Sequence, residues 1–166
     1  MKEALTRSQI GALAEAKIAA EAIALGLEVY WPMQDGARCD LVLIDRAGRT
    51  IRVQCKSGRL EGAIIAVRLS TCRCTPAGYL RTTYSVAEID AIAIYCSGVD
   101  RCYALPIAEV AGRSSLHLRL TATRNNQTAG TRMAASYPFG AIAQLGERLS
   151  GTQEAAGSSP ASSIAL

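Results

Sequence analysis

Asp40, Gln54 and Lys56 sit inside two apolar stretches, CDLVLID (39–45) and RTIRVQCKS (49–57), that otherwise read as buried β-strands. An acid, an amide and an amine in such strands call for a reason. In extended chain, Arg52, Gln54 and Lys56 point to one face and Ile51, Val53 and Cys55 to the other, because the side-chain period is two. Asp40 lies on the face opposite Cys39, Leu41 and Leu43, so a hairpin pairing of the two strands lets it meet Gln54 and Lys56. A carboxylate and an amide oxygen are hard ligands of the kind Mg²⁺ accepts, and an ammonium beside them can hold a phosphate or a water. That combination suits metal-assisted phosphodiester chemistry. The same three residues equally well form a partly buried Asp40–Lys56 ion pair with Gln54 bonded to a neighbour.

The elements that must position these residues follow from changes of period. Thr6 and Gln9 make a capping box at the start of RSQIGALAEAKIAAEAIALG, where apolar residues recur at helical spacing until Gly26 ends the run. After this amphipathic helix come LEVYWP, CDLVLID, RTIRVQCKS and AIIAVRL, separated by the Gly-bearing turns DGAR, RAGR and LEG. They read as a meander of four strands. SVAEIDAIAIYC and RCYALP then predict a polar turn or short helix and two more strands, before SLHLRL and the polar segment TATRNNQTAG. The expected fold class is α/β, with the N-terminal helix packed on a mixed β-sheet. His117 alternates with Leu116, Leu118 and Leu120 and reads as the outward side of a strand.

Composition bounds the function classes. The chain has 166 residues, 49% of them apolar, and a formal net charge of +4, which suits one folded domain with a real core. Only three of its basic residues are Lys; the rest are Arg, whose planar fork matches phosphates and guanine edges, although a GC-rich coding sequence enriches Arg and Ala alike. No apolar run reaches the length of a membrane span, and no signal peptide opens the chain, so a cytoplasmic location and reduced cysteines are expected. Cys72 and Cys74 are too close for ordinary zinc-ligand spacing.

Asp40, a spacer of thirteen residues and then Gln54-Cys55-Lys56, preceded by a helical Glu in GALAE, resembles the signature of the PD-(D/E)XK nuclease superfamily. Cys39 stands where that signature has Pro, and Gln54 where an acid is usual. A Gln-x-Lys version, together with the stretch LRLTATRNNQTAGTRMAASYPF, is similar to the PD-(D/E)XK homing endonucleases of bacterial group I introns. The likeness covers roughly residues 5–139. It implies a restriction-endonuclease-like core and a metal-dependent endonuclease acting on double-stranded DNA, with Mg²⁺ as cofactor, Mn²⁺ as its substitute and no small-molecule cofactor.

The resemblance assigns roles residue by residue. Asp40 is the principal metal ligand, Glu15 a second one directly or through water, and Gln54 gives its amide oxygen, with the Cys55 carbonyl completing the sphere. Lys56 orients the attacking water and offsets charge on the phosphate, and Ser57 steadies the lysine strand or touches a phosphate. Glu21 is set aside because Lys17, one turn away, can pair with it. Gln34 and Arg38, in the loop before the Asp40 strand, and Arg124, Asn125, Asn126 and Gln127 are candidate DNA contacts, though Asn-Asn-Gln also suits a plain turn.

Cutting two strands with one site per chain implies a homodimer or homotetramer. A Holliday-junction-resolvase-like nuclease would use the same residues on branched DNA, and the neutral Gln54 also admits a catalytically weakened DNA-binding module. A domain boundary falls at residue 140. Residues 141–166 read as a disordered tail, and AQLGERLSGTQEAAGSSPA (143–161) resembles the in-frame translation of a transfer-RNA gene, Gly157-Ser158-Ser159-Pro160 matching its T-arm. An ordinary Ala/Gly/Ser-rich flexible tail is the plainer reading of the same stretch.

Overall fold

Thr6 starts the first helix, α1 (Arg7–Ala24), through the expected capping box: its side chain accepts from the Gln9 backbone N–H, and the Gln9 side chain accepts from the Thr6 backbone N–H. The computed structural model describes residues 4–34, 36–76, 78–122 and 130–146. After α1 come β1 (Glu28–Tyr30), β2 (Leu41–Ile44), β3 (Thr50–Glu61), β4 (Ile64–Arg68), β5 (Thr71–Thr75), β6 (Gly78–Thr82), β7 (Ala91–Cys96), β8 (Arg101–Pro106) and β9 (Ser115–Arg119). Among the described residues, seven strands form one mixed sheet, and β5 and β6 form a separate two-stranded one.

Chain order within the sheet departs from a plain meander. Strands β1 to β4 pair antiparallel in sequence, as expected, but β2 and β4 both lie along one edge of β3, because β7 holds the other edge in parallel register. Val53 is thus flanked by Leu41 and Ala91, and Gly58 by Val67 and Cys96. Between these two points, from Gln54 to Ser57, neither β2 nor β4 reaches β3. This gap in the ladder is where the candidate residues gather. Glycine is required at its far end, since a Cβ on Gly58 would lie 2.5 Å from Cγ2 of Ile65.

Each face of the sheet carries its own core. On one, Ala14, Ile18, Ala19 and Ala22 of α1 pack with Leu41, Leu43, Ile51, Val53 and Cys55, over the small residues Ala91, Ala93 and Ala104. Alanine on both partners seats the helix close to the sheet, and full burial of Ile18 alone is worth about 1.5–3 kcal/mol. On the other face Ile92, Ile94, Leu105, Leu116 and Leu118 pack with Ile65, Val67, Tyr84 and Ile89. Strand β7 feeds both cores, which explains its unbroken apolar sequence AIAIYC. His117 points outward between buried Leu116 and Leu118, as its alternation predicts.

Beyond residue 140 the fold continues. Ile142 is fully buried in the helix-side core and Leu145 packs against it, so both lie within the packed body although the sequence places them in the tail. Residues 147–166 lie outside the described residues.

Candidate active site

Asp40 immediately precedes β2, and its backbone N–H donates to the Val53 carbonyl at 2.9 Å. Its side chain then does what the missing strand would have done. In the gap of the β3 ladder, Oδ2 of Asp40 accepts the Cys55 backbone N–H at 2.8 Å. The same oxygen accepts Nε2 of Gln54. The expected meeting of Asp40 with Gln54 is therefore present, and it follows from the register Leu41↔Val53, which sets Asp40 opposite Gln54.

The amide is turned over relative to the sequence-based expectation. Gln54, only 6% exposed, faces Asp40 with its nitrogen, and Nε2 also lies 3.5 Å from the Cys55 carbonyl oxygen. A bare carboxylate needs donors, and the amide N–H supplies one. Two oxygens, from Asp40 and Cys55, thus converge on a single donor. Such a convergence suits a hard cation equally well, with Gln54 rotating to present its oxygen. Among the described residues no three His, Cys, Asp or Glu side chains cluster in metal-binding range. The donor set that fits a divalent cation is two carboxylates, Asp40 and Glu15, with an amide and a main-chain carbonyl.

Glu15, half-buried beside Ala14 on the rim of the buried stripe of α1, lies near enough to feel the charges of Asp40 and Lys56. Burial raises its carboxyl above the usual glutamate range, and the charge of Asp40 raises it further, while Lys56 pulls it down. Asp40 is itself raised by burial, against the opposing pull of the Cys55 N–H, Lys56 and Gln54. Two acids held above their ordinary range at one spot mark a place where positive charge is wanted. The Cys55 thiol, pushed strongly upward by burial, is a core group and not a nucleophile.

Lys56 does not close an ion pair on Asp40. Its ammonium donates to the hydroxyl oxygen of Tyr84 at 2.9 Å and lies 5.0 Å from the centre of that ring. Burial lowers its pKa, and the charge of Asp40 opposes the fall. Arg38 lies 4.7 Å from the centre of the same ring while it pairs with Glu88 at 2.7 Å and donates to the Thr83 carbonyl at 2.7 Å. Tyr84, 3% exposed and pushed up to about 12, chiefly by burial, thus sits between two cations. Nothing in the sequence around it points to this role, since TTYSVAE carries no motif.

The remaining candidates separate. Ser57 and Gln34 are exposed, free to meet a large ligand, whereas Arg38 is already engaged by Glu88. Arg52, on the same face as Gln54, is bound at 2.8 Å to Asp90 and fastens β3 to the start of β7. Lys17 does not pair with Glu21: it reaches Asp100 at 2.8 Å, because the β7–β8 turn brings that carboxylate within range, with Tyr95 donating to the same oxygen. Arg124, Asn125, Asn126 and Gln127 lie outside the described residues.

Three comparisons bear on this geometry. The family model of the PD-(D/E)XK endonuclease matches residues 5–140. No curated protein matches the chain. Among solved structures, the bacterial homing endonuclease I-Ssp6803I aligns at a TM-score of 0.68 over 89% of this chain and 99% of its own, with 20% sequence identity. A likeness at that identity establishes the fold, an N-terminal helix on a large mixed sheet, as the sequence led us to expect.

Proposed function

Because the chain belongs to the PD-(D/E)XK endonuclease family, we propose that it is a divalent-cation-dependent DNA endonuclease that hydrolyses phosphodiester bonds, and specifically a site-specific homing endonuclease. What supports the reading is the gap in the β3 ladder, where Asp40 meets Gln54 and the Cys55 backbone, with Glu15 and Lys56 near enough for their charges to act on one another and on Asp40. Asp40, Glu15, Gln54 and the Cys55 carbonyl would hold the cation, Mg²⁺ with Mn²⁺ as substitute. When bound, it supplies charge neutralisation at the phosphate and a more acidic water. Lys56, released from Tyr84, is the group that orients that water and offsets charge on the phosphate oxygens.

The substrate is double-stranded DNA. One site per chain cannot cut both strands, so the active form is a homodimer or homotetramer. Among the described residues no helix is long and apolar enough to cross a membrane. The experiment is cleavage of linear duplex against a four-way junction, each with Mg²⁺, with Mn²⁺ and with chelator. Metal-dependent cuts at fixed positions in duplex support the reading. Cleavage confined to the junction, whatever its sequence, turns it toward a resolvase. Metal-independent DNA binding with no cleavage reduces the protein to a binding module.

A further inference from the structure

We propose that the β5–β6 ribbon enters the DNA major groove beside the scissile phosphate, with Tyr79 and Arg81 on its reading face; this deepens the nuclease reading and rests on it. The ribbon stands apart from the main sheet, and all five residues of β6 are exposed, Tyr79 by 80%. Its root, in contrast, is fixed. Leu69, 2% exposed, donates its N–H to the Ser114 carbonyl on one side, and Thr83 and Tyr84 are tied to Arg38 and Lys56 on the other. A ribbon whose β6 strand is exposed along its length, anchored at the candidate catalytic lysine, is placed to contact whatever lies over that lysine.

Charge selects the occupant. From Gly62 to Ala87 the chain has three arginines, Arg68, Arg73 and Arg81, and no acid. A polyanion matches such a segment. Side-chain alternation separates the two faces of β6: Leu80 and Thr82 line a groove with Arg38, Thr83 and Glu88, which leaves Tyr79 and Arg81 on the opposite face. A two-stranded ribbon fits the major groove, and arginine is the side chain that reads guanine there in bidentate fashion. Five strand residues at about 3.3 Å each reach roughly 16 Å from the root. At about 3.4 Å per base pair, the ribbon covers roughly five pairs from the cut.

The test uses the full-length protein and a duplex obtained by cleavage selection with the parent from a randomised library. Arg81→Ala and Tyr79→Ala should lower duplex affinity roughly five- to hundredfold, as loss of a base contact does, with thermal stability unchanged because both side chains are exposed. Arg81→Lys should keep the salt dependence of binding but lose preference at a position within roughly five pairs of the cut. Parent affinity and cleavage preference in all three variants would overturn the ribbon assignment alone. Unchanged DNA affinity with a drop in oligomer mass for Tyr79→Ala would assign the face to a second copy and overturn it too. A parent that selects and cuts no duplex removes the nuclease reading, and this inference with it.

Discussion

The ammonium of Lys56 and the hydroxyl of Tyr84 are joined at 2.9 Å, although 28 residues and the whole β5–β6 ribbon separate them in sequence. The bond holds a half-buried cation that burial works to discharge, so it is part of what keeps Lys56 in place. Tyr84→Phe keeps the ring against Arg38 and Lys56 and removes only the acceptor. It should lower stability by about 1–3 kcal/mol, measured by denaturant unfolding. An unchanged midpoint would show that water replaces the phenol without cost.

Asp40 and Glu15 give the metal-free protein a specific pH response. Their carboxyl groups titrate above the ordinary range in the folded state, so the native chain holds protons that the unfolded chain has already released. Stability contributed by these groups is therefore complete below their unfolded values and declines as pH rises through the raised, folded values. The stability of the parent relative to Asp40→Asn should fall across that window in chelator, and Mn²⁺ at neutral pH should restore part of the loss. A difference that does not vary with pH would contradict the burial of these charges.

Much of this site can be read in the sequence, and the reasons are local. Period two places Gln54 and Lys56 on one face of β3, and the short RAGR turn sets Asp40 opposite Gln54. The α1 boundaries follow from Thr6, Gln9 and Gly26, whose signals lie within one turn of the helix ends. Long-range facts escape such reading. Tyr84 reaches Lys56 only because the ribbon returns to its own root, and no local pattern records that. Strand β6 shows no apolar alternation, because all five of its residues are exposed. Strand β3 runs on to Glu61 past Gly58, a glycine that serves close packing against Ile65 and not a turn. The orientation of the Gln54 amide depends on which donors Asp40 finds, and spacing says nothing of it.

Gln54 offers a second chemical test. Gln54→Glu would set a carboxylate against Asp40 in place of an amide donor, so the metal-free protein should lose about 1–3 kcal/mol of stability. The added charge should also raise affinity for Mn²⁺ in the absence of DNA. Isothermal titration should give measurable binding in the variant and little in the parent. Equal affinities would mean that Gln54 does not face the cation.

Packing separates two truncations that the sequence alone treats alike. Ending the chain after Gly140 removes Ile142, fully buried, and Leu145, and should cost about 2–5 kcal/mol, the range for emptying a large apolar site. Ending it after Gly146 should leave thermal stability and cleavage nearly unchanged. A large loss from the longer form would show that residues 147–166 contribute to the fold or the assembly.

The most direct measurement of the central claim is single-turnover cleavage of selected duplex DNA by Asp40→Asn and Lys56→Ala beside the parent, in saturating Mg²⁺. Both positions are assigned to the chemical step, so each variant should cleave at least about a hundredfold more slowly while binding the duplex with near-parent affinity. Parent-like cleavage by either variant would contradict the placement of phosphodiester hydrolysis at the gap between β2 and β4.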